Sequence, residues 1–335
     1  MTRKVLKILF SLLIAVLFLW LAFREVNLPE LWQQITGIKL WWIAPFTAVM
    51  MFSHYLRAER WSLLLNDIEI KPPRSTLFAG VMVGYMMNNV FPRLGEVSRP
   101  LYVARQMKLS TSNLLGTIVL ERIIDLVCLI AFLIFISFYF ISDQQVMSQI
   151  FGTESWTVNV YFIVPLILLI LFFSAWTIFK LMLHLQESGT LKNPFIKRLI
   201  EMTKLFWKGL ISVRKVRNWP LFILYTLGIW IGYIAMAYLP FMMLDLQQVY
   251  QLGFIEAMII TVISAVGVAV PTPGGIGSYH LFIQQSLWLL FSVPLVTALT
   301  YATITHAVTV LLIFITGAFV LWFDKYYTLK SKLVR

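Results

Sequence analysis

Apolar runs separated by short polar segments repeat along the whole chain, and they are the strongest signal in the sequence. A helix needs about 20 predominantly apolar residues to cross a bilayer, and several runs reach or approach that length. The runs that could enter a membrane are 8–23, 40–56, 77–91, 114–141, 158–183, 220–244, 254–270, 280–291 and 295–323. The pattern therefore predicts an all-α polytopic membrane protein.

The positions of lysine and arginine predict the orientation of these helices, because cytoplasmic connections carry an excess of both. The N-terminal tail, the segments 57–74 and 184–219, and the C-terminal tail are rich in basic residues. The segments 142–157 and 245–253 contain no lysine or arginine. We therefore expect the basic segments and both termini to be cytoplasmic, and the other two segments to lie outside.

Two regions must leave the membrane on the side from which they entered if these orientations hold. Residues 77–108 would return to the inside, and residues 254–291 would return to the outside. Pro92 and Gly95 interrupt the first region at 91–95, whereas two prolines and three glycines interrupt the second at 270–277. Proline breaks a helix and glycine weakens it. The sequence thus predicts two re-entrant hairpins and six crossings, or eight if both hairpins span the membrane fully.

The predicted elements fall into two similar halves. Half 1, at about 8–141, and half 2, at about 158–323, each contain three transmembrane helices and one broken re-entrant hairpin. Their orientations would be opposite, as in the inverted repeats of many transporters, where interrupted segments at matching positions point to the substrate site. We expect a single membrane domain over 1–335.

The connection 184–219 between the halves is basic and amphipathic. Its lysines and arginines alternate with apolar residues between positions 192 and 217, as in helices that lie on an anionic membrane surface. A role in docking a partner is the alternative interpretation.

Composition narrows the function classes. The chain is 60% hydrophobic and 13% charged, and its net charge is +12. Most of the positive charge lies at the ends of apolar runs, which favours membrane topology over nucleic-acid binding, so we expect no nucleic-acid partner. The polar segments are too short for a soluble catalytic domain. We predict a multi-pass protein of the plasma membrane whose first helix is retained rather than cleaved as a signal peptide.

No motif indicates a cofactor or a resident metal. Cys128 is the only cysteine, which excludes an intrachain disulfide and a cysteine-based metal site. The chain has no P-loop and no G-x-S-x-G motif, and its histidines and acids lack metal-ligand spacing. We therefore expect neither a cofactor nor a metal.

Polar residues at the first break are candidates for substrate binding because charges at membrane depth are costly to keep. The arginines offer planar donors suited to phosphate, but they could instead pair with the glutamate and stabilise the bend. The asparagines could cap exposed backbone or contact a head group. These candidates are Asn88, Asn89, Arg93, Glu96 and Arg99.

A second set of candidates opens the run 114–141. Glu121 and Asp125 are four residues apart and share a helix face, and Arg122 can pair with Asp125. The set is either an interfacial ion-pair cluster or a group of acids that pairs with Arg93, Arg99 or Arg105 across a cavity.

A third set lies at the second break. Gly274, Gly275 and Gly277 would let backbone amides approach a ligand closely. His280 and His306 follow; they are either hydrogen-bonded core residues or proton carriers.

Three segments resemble the signatures of a known family. Residues 89–99 (NVFPRLGEVSR), 121–125 (ERIID) and 273–277 (PGGIG) are similar to those of the lysylphosphatidylglycerol synthase transmembrane-region family, in the same order and spacing. The resemblance implies a flippase-like membrane domain that moves an aminoacylated phospholipid or a lipid-linked sugar between leaflets. It covers nearly the whole chain.

Two departures limit what the resemblance implies. Bifunctional members have an aminoacyl-transferase domain after the membrane region, and the sequence to Arg335 has none, so we do not expect synthase activity. Members often have a glutamate shortly after the glycines, whereas Ser278, Tyr279 and His280 stand here. This difference argues against a proton or amine role at that position.

The combined hypothesis is a non-enzymatic lipid flippase or scramblase whose partners are membrane lipids with an anionic, aminoacylated or sugar-linked head group. A homodimer is left open. The alternatives are a membrane enzyme that uses Glu121 or Asp125 as general base, and an assembly protein that docks through the basic segment 192–217.

Overall fold

The computed structural model describes residues 3–65, 71–142, 177, 216 and 218–333, and the regular elements in these residues are helices. A 3₁₀ turn, Leu40–Trp42, precedes α3, and another, Pro273–Gly275, lies between α9 and α10. The helices are α1 (Arg3–Phe23), α2 (Leu28–Thr36), α3 (Ile43–Leu64), α4 (Arg74–Val90), α5 (Gly95–Met107), α6 (Thr111–Ser142), α7 (Trp219–Met243), α8 (Leu246–Val249), α9 (Phe254–Ala269), α10 (Ser278–Phe291) and α11 (Leu295–Leu333).

The prediction of an all-α chain is confirmed for the described residues, and most helix ends lie close to the ends of the apolar runs. The predicted end of α3 was wrong. Helix α3 continues to Leu64, past the predicted end at 56, so Arg57 and Arg60 are buried helix residues rather than loop residues. Helix α2 was not predicted. The run 158–183 lies outside the described residues except for Thr177, and the basic segment 192–217 does so except for Val216.

The chain divides into two compact units, which are residues 1–118 with 216–335, and residues 119–215. In the first unit, Trp61 of α3 is fully buried among apolar side chains of α4, α5 and the start of α6. A second core joins Phe46 and Met50 of α3 to Met243 of α7 and Ile304 of α11. In the second unit, the described part is the remainder of α6 and Thr177.

Large apolar side chains cover the outer faces of several helices. On α11 they recur every three or four residues as Leu311, Ile315, Phe319 and Trp322, all exposed. Exposed stripes of this size would cause a water-soluble protein to aggregate, and they fit contact with lipid. By length and composition, α7 and residues 295–326 of α11 can each cross a membrane, and the bent pair of α1 and α2 is a third candidate span among the described residues. These features are those of a membrane protein.

Helices α4 and α5 form a helical hairpin, which we call the first hairpin. Pro92 lies in the turn between them, and Arg93 adopts a left-handed conformation with a φ of 61°. The Asn88 side-chain oxygen accepts a hydrogen bond of 2.7 Å from the Gly95 amide, which closes the turn. Small residues then let the helices approach, because a Cβ at Gly80 would lie 2.8 Å from Val103.

Helices α9 and α10 form a second helical hairpin around the break 270–277. Gly274, Gly275 and Gly277 all have positive φ, which explains the glycines in this segment. Helix α1 packs against the break, where the Ser11 hydroxyl donates a 2.6 Å hydrogen bond to the Pro271 carbonyl. The predicted breaks at 91–95 and 270–277 are therefore present as irregular backbone between helices.

Polar side chains join helix ends at opposite ends of the first unit. At one end, Lys39 before α3 pairs with Asp245 after α7 at 2.5 Å. At the other end, the fully buried carboxylate of Asp324 on α11 accepts hydrogen bonds from Thr76 of α4 at 2.8 Å and Tyr102 of α5 at 2.7 Å.

We expect Tyr102→Phe to lower the stability of the purified protein, because it removes a hydroxyl donor from the buried Asp324 carboxylate. A hydrogen bond to a charged group contributes about 1.5–3 kcal/mol. Thermal unfolding in detergent measures the effect. The matched control is Tyr238→Phe, since the Tyr238 ring packs on Phe241 and Phe254 and its hydroxyl has no hydrogen-bond partner within the described chain. Equal melting temperatures for the two variants would contradict the prediction.

Candidate functional site

The two breaks meet inside the first unit. A Cβ added to Gly274 of the second break would lie 3.0 Å from Asn89 Oδ1 and 3.3 Å from Asn89 Cα at the end of α4. The backbone of one hairpin tip therefore touches a polar side chain of the other. We call this contact the tip junction. It brings Asn89 and Gly274 together, two of the residues predicted for the site.

Helix α11 holds the tip junction from one side. His306 Nε2 lies 2.9 Å from the Gly274 carbonyl oxygen, so the ring N–H donates a hydrogen bond to this oxygen. The His280 ring of α10 lies 5.0 Å from the His306 ring, and the Tyr279 ring lies 5.5 Å from it. Of the two interpretations for His306, the hydrogen-bonded core residue agrees with this geometry.

The two asparagines of the first hairpin have different roles. Asn88 caps the backbone by accepting from the Gly95 amide. Asn89 donates a 3.0 Å hydrogen bond from Nδ2 to the Tyr85 carbonyl one turn earlier, and its side-chain oxygen faces Gly274. Backbone capping, one of the two predicted roles, is therefore observed for Asn88.

The two arginines of the first hairpin also lie in different surroundings. Arg93 is exposed in the turn. Arg99 is only 5% exposed, and its guanidinium lies 4.0 Å over the Trp61 ring. Trp61 is itself fixed by donating from its indole nitrogen to Thr117 at 2.8 Å. A buried cation–π contact of this kind can contribute about 2 kcal/mol, so the contacts of Arg99 support a role in holding α5 against α3.

The remaining predicted residues lie at three places. Glu96 is in the first turn of α5 and is partly exposed, and Gly275 and Gly277 are in the second break. In the second unit, Glu121 is buried, Asp125 is partly exposed and Arg122 is exposed on α6. Across the described residues, no group of three histidine, cysteine or acidic side chains could hold a metal ion.

One buried polar cluster was missed by the sequence analysis. Arg57 Nη1 donates hydrogen bonds to the hydroxyl of Tyr233 at 2.5 Å and to that of Tyr85 at 3.2 Å, and the two hydroxyls are 2.9 Å apart. His54 stacks on Tyr85 with ring centroids 4.0 Å apart. Arg57 was interpreted as a loop charge because the apolar run ends before it. The apolar residues Ala58, Trp61 and Leu65 continue at helical spacing and could have revealed the longer helix.

Comparison with known proteins identifies the family. The model of the family described as "Lysylphosphatidylglycerol synthase TM region" matches residues 8–317. A similar relative is a UPF0104 membrane protein of Methanocaldococcus jannaschii, which is 20% identical over 288 residues, or 83% of each chain. No solved structure matches the chain. The match covers far more than half of the sequence, including both hairpins and the tip junction, and the chain therefore belongs to the lysylphosphatidylglycerol synthase transmembrane-region family.

Proposed function

We propose that this protein moves lipids with a polar head group between the two leaflets of the plasma membrane, as a flippase or scramblase. The observation that carries the proposal is the tip junction, where Asn89 of one broken hairpin touches Gly274 of the other. Irregular backbone and polar side chains are placed inside a membrane protein at a cost, and they occur where a substrate passes or binds.

We further propose that the hairpins are re-entrant and open to opposite faces. The open end of the first hairpin lies beside Asp324, because Thr76 of α4 and Tyr102 of α5 both bond to it. The second hairpin begins just after α8, near the Lys39–Asp245 pair. With both termini cytoplasmic, the first hairpin would open inward and the second outward. This is the inverted plan of many secondary transporters.

In this proposal the head group is held beside the tip junction while its acyl chains stay in lipid. Arg93 contacts the phosphate from the exposed turn, and Arg99 adds positive charge behind it. Glu96 balances charge or accepts an amine there. On α6, we propose the same two roles for Glu121 and Asp125, with Arg122 as their partner. Gly274, Gly275 and Gly277 supply backbone contacts. No covalent step is required, so we propose transport without catalysis.

Leaflet exchange in proteoliposomes tests this function. The full chain is reconstituted with fluorescent phosphatidylglycerol, and a membrane-impermeant quencher reports the labelled lipid that moves to the outer leaflet. We expect exchange above protein-free vesicles. Arg93→Asn should slow exchange by roughly tenfold or more, because a hydrogen bond to a charged group contributes about 1.5–3 kcal/mol. Asparagine is chosen because it tolerates the left-handed backbone at this position.

The matched control is Arg24→Asn, which removes an exposed arginine paired with Glu25 outside both hairpins. It should leave exchange unchanged. Equal exchange for wild type and Arg93→Asn with phosphatidylglycerol, aminoacylated phosphatidylglycerol and a lipid-linked sugar would argue strongly against the proposal. A new lipid product in the same vesicles would instead favour an enzyme.

A further inference from the structure

The Arg57 cluster is built from three helices of the first unit. Arg57 and His54 lie on α3 three residues apart and share one face, Tyr85 comes from α4, and Tyr233 comes from α7. Arg57 is 5% exposed, whereas both tyrosines are partly exposed. The tyrosines therefore form the accessible side of the cluster, and the arginine lies behind them.

The hydroxyl groups of the tyrosines are held by one guanidinium nitrogen. Arg57 Nη1 donates to both oxygens, and the 2.9 Å distance between the oxygens allows one hydroxyl to donate to the other. Only one of the two hydroxyl protons can serve that bond. A hydroxyl can donate or accept a hydrogen bond, so this pair can rearrange when a ligand binds.

His54 independently indicates a ligand. Its ring is 2% exposed and stacks on Tyr85, yet neither ring nitrogen has a hydrogen-bond partner within the described chain. Leaving a buried polar group unsatisfied costs about 1–3 kcal/mol, so a ring in this position gains stability from an additional acceptor or donor. The stacking holds the ring in place beside the Tyr85 hydroxyl that Arg57 binds.

The cluster lies close to the tip junction. Tyr85 and Asn89 are four residues apart on the same face of α4, and the Asn89 side chain bonds to the Tyr85 carbonyl. One helical turn corresponds to about 5.4 Å along the axis. Tyr85 of the Arg57 cluster therefore lies one helical turn of α4 from Asn89 at the contact between the two tips.

We propose that Arg57, Tyr85, Tyr233 and His54 form a second binding site, in addition to Arg93, for the phosphate group of the transported lipid, an inference that rests on the proposed function. All four side chains can donate hydrogen bonds, and the only permanent charge among them is positive. A phosphodiester is a monoanion with acceptor oxygens, and it fits a planar guanidinium with flanking hydroxyl donors. Binding would replace the hydroxyl–hydroxyl bond with bonds to the phosphate, and it would give His54 a partner.

Binding of defined lipids to the full chain in detergent tests the proposal. Native mass spectrometry measures apparent affinity for dioleoylphosphatidylglycerol, for dioleoylglycerol, which has the same chains without phosphate, and for glycerophosphoglycerol, which has the phosphate without chains. We expect clear binding of the phospholipid and at least tenfold weaker binding of dioleoylglycerol. Arg57→Gln should weaken phospholipid binding at least tenfold, and the combined Tyr85→Phe and Tyr233→Phe variant should weaken it severalfold.

The tyrosine variant keeps both rings and therefore decides the outcome if Arg57→Gln does not fold. Tyr238→Phe on α7 is its control and should bind like wild type. Unchanged phospholipid affinity in the double tyrosine variant, or in folded Arg57→Gln, would overturn the proposal. Cluster-dependent binding of glycerophosphoglycerol as tight as that of the phospholipid would also overturn it, because the site would then serve a soluble phosphodiester.

Leaflet exchange by the wild type separates this proposal from the proposed function. If the wild type exchanges lipid but the cluster variants bind lipid as tightly as the wild type, the phosphate site is overturned and the proposed function is not. Cluster-dependent binding without exchange of any lipid would support the phosphate site and overturn transport.

Discussion

Gly95→Ala is expected to eliminate the folded protein. A Cβ at this position would lie 2.0 Å from the Gly84 carbonyl oxygen and 2.7 Å from two atoms of the Asn88 side chain. The first obstruction is backbone, so it cannot be relieved by a change of rotamer. The methyl group must separate α4 from α5 and break the Asn88 cap on the Gly95 amide. We expect a loss of about 4 kcal/mol or more, at the upper end of single substitutions.

Size-exclusion chromatography of a fluorescent fusion, followed by thermal unfolding in detergent, measures this effect. The matched control is Gly116→Ala on α6, where an added Cβ meets no atom within 4 Å. Alanine favours a helix over glycine by about 1 kcal/mol, so the control should be as stable as wild type or slightly more stable. A monodisperse Gly95→Ala protein with the melting temperature of the control would disprove the close packing of the first hairpin.

Gly277→Ala is expected to have the second largest effect, through two separate causes. The backbone has a φ of 82° and a ψ of −61°, a region that disfavours residues with a Cβ. The added Cβ would also lie 2.4 Å from the Ala15 carbonyl oxygen and 3.0 Å from the Leu19 amide nitrogen of α1. Helix α1 would have to move away from the second break, and we expect destabilisation of about 3 kcal/mol or more.

The same unfolding measurement checks this prediction, with Gly37→Ala as control. Gly37 has a negative φ of −87°, and an added Cβ there makes only an ordinary contact of 3.5 Å. Because the nearest obstructing atom is the Ala15 main-chain oxygen, truncating a side chain on α1 should not rescue Gly277→Ala. A full rescue by Phe18→Ala would contradict the prediction, because alanine keeps Phe18 Cβ, the third obstructing atom at 3.0 Å, and leaves the main chain in place.

The helices and breaks were predictable because they depend on local chemistry. Apolar length fixed most helix ends, and proline with clustered glycine marked both breaks before their conformations were known. Helix α2 was not predictable in the same way, since it is short and half polar. Its Leu31 is buried against Ala22 and Leu299, while Trp32 is 67% exposed, so it depends on neighbours distant in sequence.

The candidate site was only partly predictable, for the same reason. Asn88 could be expected to cap a nearby amide, because capping is a local interaction. By contrast, Arg99 lies over Trp61, which is 38 positions away in the sequence. The hydroxyls of Tyr85 and Tyr233 form a pair between residues that are 148 positions apart. No periodicity encodes such contacts. The roles of Arg93, Glu96, Glu121, Arg122 and Asp125 remain predictions for the transport assay.

Helix α11 forms hydrogen bonds to both hairpins. His306 holds the tip of the second hairpin through the Gly274 carbonyl, and Asp324 holds the base of the first through Thr76 and Tyr102. These anchors are 18 residues apart, or about 27 Å along one continuous helix. A tilt of this helix as a rigid body would therefore strain both anchors together, so we expect a displacement of one hairpin to be transmitted to the other.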